Sequence, residues 1–164
     1  MSSTILPLAC DIVQFLTAGF LGLLVGALLA EGALLVPYWR TLNPKEFYAL
    51  HPSYAPRLFR FFAPLTIAAP SLAISAVVLS IVTSDPGLWF SFIAAALSCL
   101  IVGIYFFYFK RANEAFGKAA IAENDLSREL GRWAAWHNAR TVVGMFAFVF
   151  LSWRLVARNQ SRLG

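Results

Sequence analysis

The chain has two histidines, His51 and His137. Imidazole exchanges a proton near neutral pH, so both are first candidates for acid–base work. Two charged residues interrupt the apolar sequence around them. Glu31 breaks the apolar run from Ile12 to Trp39, and Arg140 follows His137 by three positions. A carboxylate, a guanidinium and two imidazoles suffice for proton abstraction and for holding the anion that results. Glu31, His51 and His137 also form the donor set of a two-histidine, one-carboxylate site for a mononuclear iron or copper ion. No fixed spacing tests that set, because the three residues fall on three different elements. The plainer alternative is a structural pair, Glu31 with His137 or Arg140, that locks two helices together.

Around these groups lie rings and amides. Trp133, Trp136 or His137, and Arg140 follow helical spacing, so one helix face carries them, with Asn138 beside it. The indoles offer stacking area to a flat ligand, as do Tyr48 and Phe62. For the two tryptophans alone an interfacial aromatic belt is the better explanation, but it does not account for His137 with Arg140. Upstream, Asn43-Pro44-Lys45-Glu46-Phe47-Tyr48 precedes His51. If Pro44 opens a helix, Tyr48 and His51 sit one turn apart. Arg57 and Asn113 are further polar candidates for substrate contacts on the same side.

The elements that must position these residues follow from composition. Of 164 residues, 60% are hydrophobic and 13% are charged, against about half and about a quarter in soluble domains. So few charges cannot solvate the surface of a soluble chain of this length, and the sequence describes an integral membrane protein. A formal net charge of +5 does not make it a nucleic-acid binder, because the basic residues stand at the ends of apolar runs and form no patch. Cys10 and Cys99 have no paired spacing for a disulfide, a metal knuckle or covalent haem.

Uncharged runs of 24 residues, Phe61 to Ser84 and Pro86 to Phe109, each exceed the roughly 20 residues that cross a bilayer. The first span is expected over about 12–36, ending at Pro37. Between Arg140 and Arg154 only 13 residues are uncharged, too short for a core of about 30 Å. The fourth span must therefore start near Trp133, which draws His137 and Arg140 into the membrane, while Arg154 snorkels out at the far end. The expected spans are 12–36, 61–83, 87–109 and 133–156, within one transmembrane domain over 1–164. The fold expected is all-α: an up-and-down four-helix membrane bundle with helical loop segments on one side. Pro64 and Pro70 would kink the second span, and Asn124 or Asp125 would cap a new helix leading into the fourth. The N-terminus lacks a cationic leader, so no cleavable signal is expected. Ala18, Gly22, Gly26 and Ala30 form a small-residue stripe for close packing inside the bundle, with a homo-oligomer interface as the alternative. Nine basic residues fall on the loop face against three on the opposite face. The positive-inside rule then places the loops in the cytoplasm and both termini outside.

The glycine-rich first span ending near Pro37, the Asn43-Pro44-Lys45-Glu46-Phe47 loop with His51, and Trp133, Trp136, His137, Asn138, Arg140 and Thr141 resemble the anthrone-oxygenase-like family of small membrane proteins. The resemblance covers nearly the whole chain, and Glu31 is not among the residues that carry it. It implies a four-span membrane protein. For some members it implies oxidation of a polyphenolic anthrone to the anthraquinone by molecular oxygen, with no agreed cofactor.

Two functions are therefore expected from different classes. In the first, an oxygenase takes a lipophilic polyphenolic or quinone-like substrate in a pocket at the loop-side membrane edge. His137 or His51 removes the proton and Arg140 steadies the anion, either without a metal or with iron or copper held by Glu31, His51 and His137. In the second, the chain is an accessory membrane subunit that binds a lipid, quinone or haem, and its polar cluster only clamps helices.

Overall fold

The computed structural model of the chain describes the backbone of residues 2–163 and the side chains of residues 5–156. Among the described residues there are helices and turns and no strand. Six α-helices stack end to end into four rods. The first rod is α1 (Ser2–Ala30), a π-helical turn (Glu31–Leu35) and α2 (Val36–Thr41). The second is α3 (Pro44–Val82). The third is α4 (Leu88–Ile104), a second π-turn (Tyr105–Phe109) and α5 (Lys110–Gly117), and the fourth is α6 (Glu123–Leu163). Four stretches, Ile5–Thr41, Pro44–Val82, Leu88–Gly117 and Glu123–Val156, are long and apolar enough to cross a membrane. Each rod packs against its neighbour in sequence and the first packs against the fourth, which closes an up-and-down bundle.

The rods run longer than the expected spans. The segment between the first two spans is not a loop. After α2 only Leu42 and Asn43 leave the helix before α3 begins. Asn43 caps α3 through a reciprocal capping box with Glu46, and Pro44 occupies the first turn, where its missing N–H costs nothing. His51 therefore sits on the same 39-residue helix as the second span. That helix continues through Pro64 and Pro70 as well as Pro52 and Pro56. At the start of α6 neither Asn124 nor Asp125 is the cap, because the helix already begins at Glu123. A single helix then runs from there through Trp133 into the fourth span, as the short apolar run required.

The first π-turn has a local cause. Proline inside a helix clashes with the carbonyl four residues back, here that of Ala33. One extra residue in the preceding turn widens it, and the Val36 N–H accordingly bonds the Glu31 carbonyl five residues back. The bulge sets the direction in which Glu31 leaves the helix.

The interior is divided along the bundle axis. The loop-side end is aromatic, built on Trp39, Phe47, Phe109, Phe116 and Trp133. The middle is aliphatic and small, with Leu21, Leu24 and Leu28 against Ala69, Ala94 and Ala147. The small-residue stripe is only partly used. Gly22 meets the Phe148 ring, while Gly26 and Ala30 face outward.

Arg154 does not snorkel. Its side chain is buried against Asp85, and its Nε–H donates to the Gly87 carbonyl at 3.2 Å. Asp85, Pro86 and Gly87 form the turn between the second and third rods, so this pair ties that turn to α6. An ion pair removed from water holds the cation in place more firmly than snorkelling would release it. Nearby on the same half of the bundle, Gln14 donates to Ser80 at 3.0 Å and to Cys10 at 3.5 Å.

Candidate functional site

Glu31 enters from the first π-turn, and His137 and Arg140 from adjacent turns of α6. Antiparallel rods at matched depth bring the three together. One Arg140 nitrogen, Nη2, lies 3.0 Å from the Glu31 carboxylate and 2.9 Å from His137 Nδ1. Glu31 and His137 are themselves 3.5 Å apart. The other imidazole nitrogen, Nε2, lies 2.9 Å from the Leu28 carbonyl. A carbonyl accepts only, so Nε2 carries the proton and donates. Nδ1 is then a lone pair that accepts from Arg140. Both hydrogens of Nη2 are thereby used, one on the carboxylate and one on the imidazole.

Aromatic walls fix this cluster. Trp133 stacks flat on His137 at 5.2 Å between ring centres. The guanidinium of Arg140 lies over the Phe109 ring at 4.0 Å, within reach of a cation–π attraction. Trp133 is buried and donates its indole N–H to Asn113 at 2.9 Å. The aromatic-belt reading therefore fails for Trp133. Gly32, next to Glu31, leaves room for the imidazole. A Cβ there would stand 3.0 Å from His137 Nε2.

A cleft of about 860 Å³ opens beside the cluster, inside the usual range of roughly 300–1,000 Å³ for small-molecule sites. Its walls are mainly α3 and the third rod, with α1 and α6 behind them. Glu31, His51, Asn113, Trp133 and Arg140 face it at the loop-side end, together with Phe62. His51 is buried in a cage of Trp39, Phe47 and Phe116 rings. Its Nδ1 has no hydrogen-bond partner, and neither has Arg140 Nε. Buried polar atoms are nearly always satisfied. His51 and Arg140 line the same end of the cleft, so a ligand there meets an imidazole and a guanidinium together.

The remaining sequence candidates are placed elsewhere. His137 does not line the cleft, since its ring nitrogens are spent on Leu28 and Arg140. Trp136 turns aside to stack on Tyr108, and Asn138 points outward. The Tyr48 hydroxyl donates to the Ile121 carbonyl at 2.6 Å, pinning the α5–α6 turn to α3. Arg57 is exposed beside the Tyr54 ring. The three donors expected for a metal do not assemble. Among the described residues no three His, Cys, Asp or Glu side chains converge as a metal site. Glu31 and His137 are together, but both imidazole nitrogens are occupied and a guanidinium stands between them and any cation.

Several contributors were not foreseen. Trp39, Phe109 and Phe116 give the site its walls, and the π-turn aims Glu31. Pro37, six positions after Glu31, was the available signal for the bulge. For the Asp85–Arg154 pair the signal was one cation and one anion at the same end of the apolar runs.

Comparison with known proteins gives one match. Residues 56–150 fit the sequence model of a family described as anthrone oxygenase. No curated protein and no solved structure matches the chain. The matched region is more than half of the chain and contains Asn113, Trp133, His137 and Arg140. Glu31 and His51 lie outside it, so their place in the site rests on geometry alone.

Proposed function

The chain belongs to the anthrone oxygenase family, and from that premise we propose that it oxidises a lipophilic polyphenolic substrate with molecular oxygen in the cleft between α3 and the third rod. The observation that carries the reading is the convergence of His51, Arg140 and Asn113 on one end of a cleft whose other end is mainly apolar. A flat phenolic ring system suits that end: it brings an acidic proton for the imidazole and an oxygen for the guanidinium.

His51 removes a proton from the activated methylene or phenol. Arg140, braced by Glu31 and His137, holds the enolate oxygen in a site of low dielectric, where one charge-assisted contact counts for more than in water. The delocalised carbanion gives one electron to oxygen, the two radicals join as a peroxide anion on the former methylene carbon, and that anion takes the proton held by His51 to become the hydroperoxide. Loss of the second C–H proton together with hydroxide leaves the carbonyl and one water. One oxygen molecule is consumed per quinone formed. The protein's part is to bind, deprotonate and steady the anion, with His137 positioning Arg140.

The non-enzymatic alternative, an accessory subunit with a helix clamp, accounts for the closed Glu31–Arg140–His137 contacts. It leaves the adjoining cleft, with His51, Asn113 and Arg140 at one end, without a purpose. Purified protein in nanodiscs, given an anthrone and isotopically labelled oxygen, separates the two. The expected result is anthraquinone carrying one labelled atom, formed faster than in empty nanodiscs, with oxygen uptake in equal amount. Equal rates with and without protein, or full rates in both His51→Ala and Arg140→Met, would overturn the oxygenase reading.

A further inference from the structure

The cleft is much longer than the site it contains. Its lining on α3 extends from His51 to Ile74, about 35 Å at about 1.5 Å per helical residue. On the third rod the lining runs from Glu114 back to Cys99, again several helical turns. Three fused aromatic rings are far shorter than that.

The chemistry changes along this length. The ionisable and amide groups, Glu31, His51, Lys110, Asn113, Glu114 and Arg140, are all at the loop-side end. Beyond Phe62 the walls are Ala63, Ile67, Pro70, Ile74 and Val102, with Leu24 behind. Thr66, Ser71 and Tyr105 carry the hydroxyls of this stretch, and Ser71 is already bonded to the Ile67 carbonyl at 2.8 Å. Ile67 and Ile74 are exposed at the rim, so this part is a trench that opens towards the hydrocarbon of the bilayer.

We propose that the ligand of this cleft is an amphiphile: a phenolic ring system that lodges among His51, Arg140 and Asn113, and a long alkyl or prenyl tail that lies in the trench along α3 as far as Cys99 and Ile74. This deepens the preceding reading and rests on it for the head group. One cavity holds both parts, so a single molecule with one polar and one apolar end fits it better than a compact polar ligand. The tail also sets the depth of the head. A ring system anchored by its tail in the bilayer reaches the cleft laterally, already oriented with its oxygens towards the loop side. Tail transfer from lipid to trench exchanges one apolar setting for another, so it adds packing and orientation rather than hydrophobic driving force.

Cys99 supplies the test. It lines the far trench and is exposed, whereas Cys10 is fully buried. The wild-type protein in nanodiscs is labelled with a lipophilic maleimide, with Cys99→Ser as the blank. Competitors are a series of 5-alkylresorcinols from methyl to pentadecyl, with pentadecanol as a tail that has no ring. The expected result is that long-tailed resorcinols slow Cys99 labelling at least about ten-fold, while the methyl compound and pentadecanol do not. Cys99→Trp fills the trench. It should weaken the pentadecyl compound relative to the methyl compound by a similar factor. Equal labelling with and without the pentadecyl resorcinol, or equal protection by pentadecanol, overturns the proposal and makes the trench a groove for bilayer lipid. The head is read separately by His51→Ala and Arg140→Met. If both weaken every resorcinol while Cys99 stays reactive, only the tail is refuted. If neither changes affinity, the head-group reading falls and the tail proposal falls with it.

Discussion

His51 and His137 have different surroundings and should fail differently when replaced. His51 sits in an apolar cage with one nitrogen unpartnered and faces the cleft. His51→Ala should lower kcat by roughly 10²–10⁴-fold, the usual worth of a positioned base, with a smaller loss of head-group affinity. His137 faces Leu28 and Arg140 instead. His137→Ala should lower the melting temperature and raise KM, because Arg140 loses its brace. Steady-state kinetics beside thermal melts in detergent distinguish the two, and the opposite pattern would exchange their roles. Arg140→Met should be the most damaging single change. It strands the Glu31 carboxylate, whose side chain is only 6% exposed, at a cost of roughly 3–5 kcal/mol. The double variant with Glu31→Gln should regain much of that stability and none of the activity. The Glu31–Arg140 contact was legible in the sequence, because two charges at matched depth on antiparallel spans have few other partners. The separation of the two histidines was not. Sequence places both on the loop side, but the tautomer that takes His137 out of the cleft depends on a carbonyl of another rod. The same limit applies to Tyr48 and Trp136, whose partners, Ile121 and Tyr108, lie on other elements.

At the scale of elements, helix existence followed from hydropathy, and the irregularities did not. Twenty-four uncharged residues between charges announce a span. Nothing so simple announces a π-turn, although Pro37 explains the first one once it is seen. The turn packs Gly32 against His137, where an added Cβ would press on the imidazole at 3.0 Å. Gly32→Val should therefore displace the imidazole, cost roughly 1–3 kcal/mol of stability and reduce activity with it. The measurement is melting temperature together with turnover. The ends of α3 and α5 offer a contrasting case. Ser84 and Ala119 follow these helices in the left-handed region, with φ of 51° and 47°. The next N–H in each reaches back to the Ser80 or Ala115 carbonyl, which is the Schellman closure that glycine usually serves. Ala119 is exposed and away from the cleft. Ala119→Gly should relieve the strain and stabilise the protein by up to about 1 kcal/mol without changing turnover. A lower melting temperature would mean that the turn depends on the alanine side chain.

The whole molecule is polarised from end to end. Its loop-side half holds the aromatic core, the polar cluster and the cleft's polar groups, and its other half holds the buried Asp85–Arg154 tie and the Gln14 network. Basic residues follow the same division. Arg40, Lys45, Arg57 and Arg60 surround the first connection, and Lys110, Arg111, Lys118, Arg128 and Arg132 surround the third, whereas Arg154, Arg158 and Arg162 stand at the other end. The structure sharpens this count, because the Arg154 charge is neutralised inside the bundle. Positive charge near span ends holds a segment in the cytoplasm, since carrying it across an apolar layer against the membrane potential is costly. The loop face, and with it the cleft's polar end near Lys110 and Glu114, should then be cytoplasmic. Both ends of the chain should lie on the far side. A reporter that is active only in the cytoplasm, fused after Leu163, should stay silent. The same reporter inserted at Lys118, in the exposed turn between α5 and α6, should be active. Activity at the C-terminal fusion with silence at Lys118 would reverse the orientation. It would also place the cleft's polar end, and the release of its product, on the outer face of the membrane.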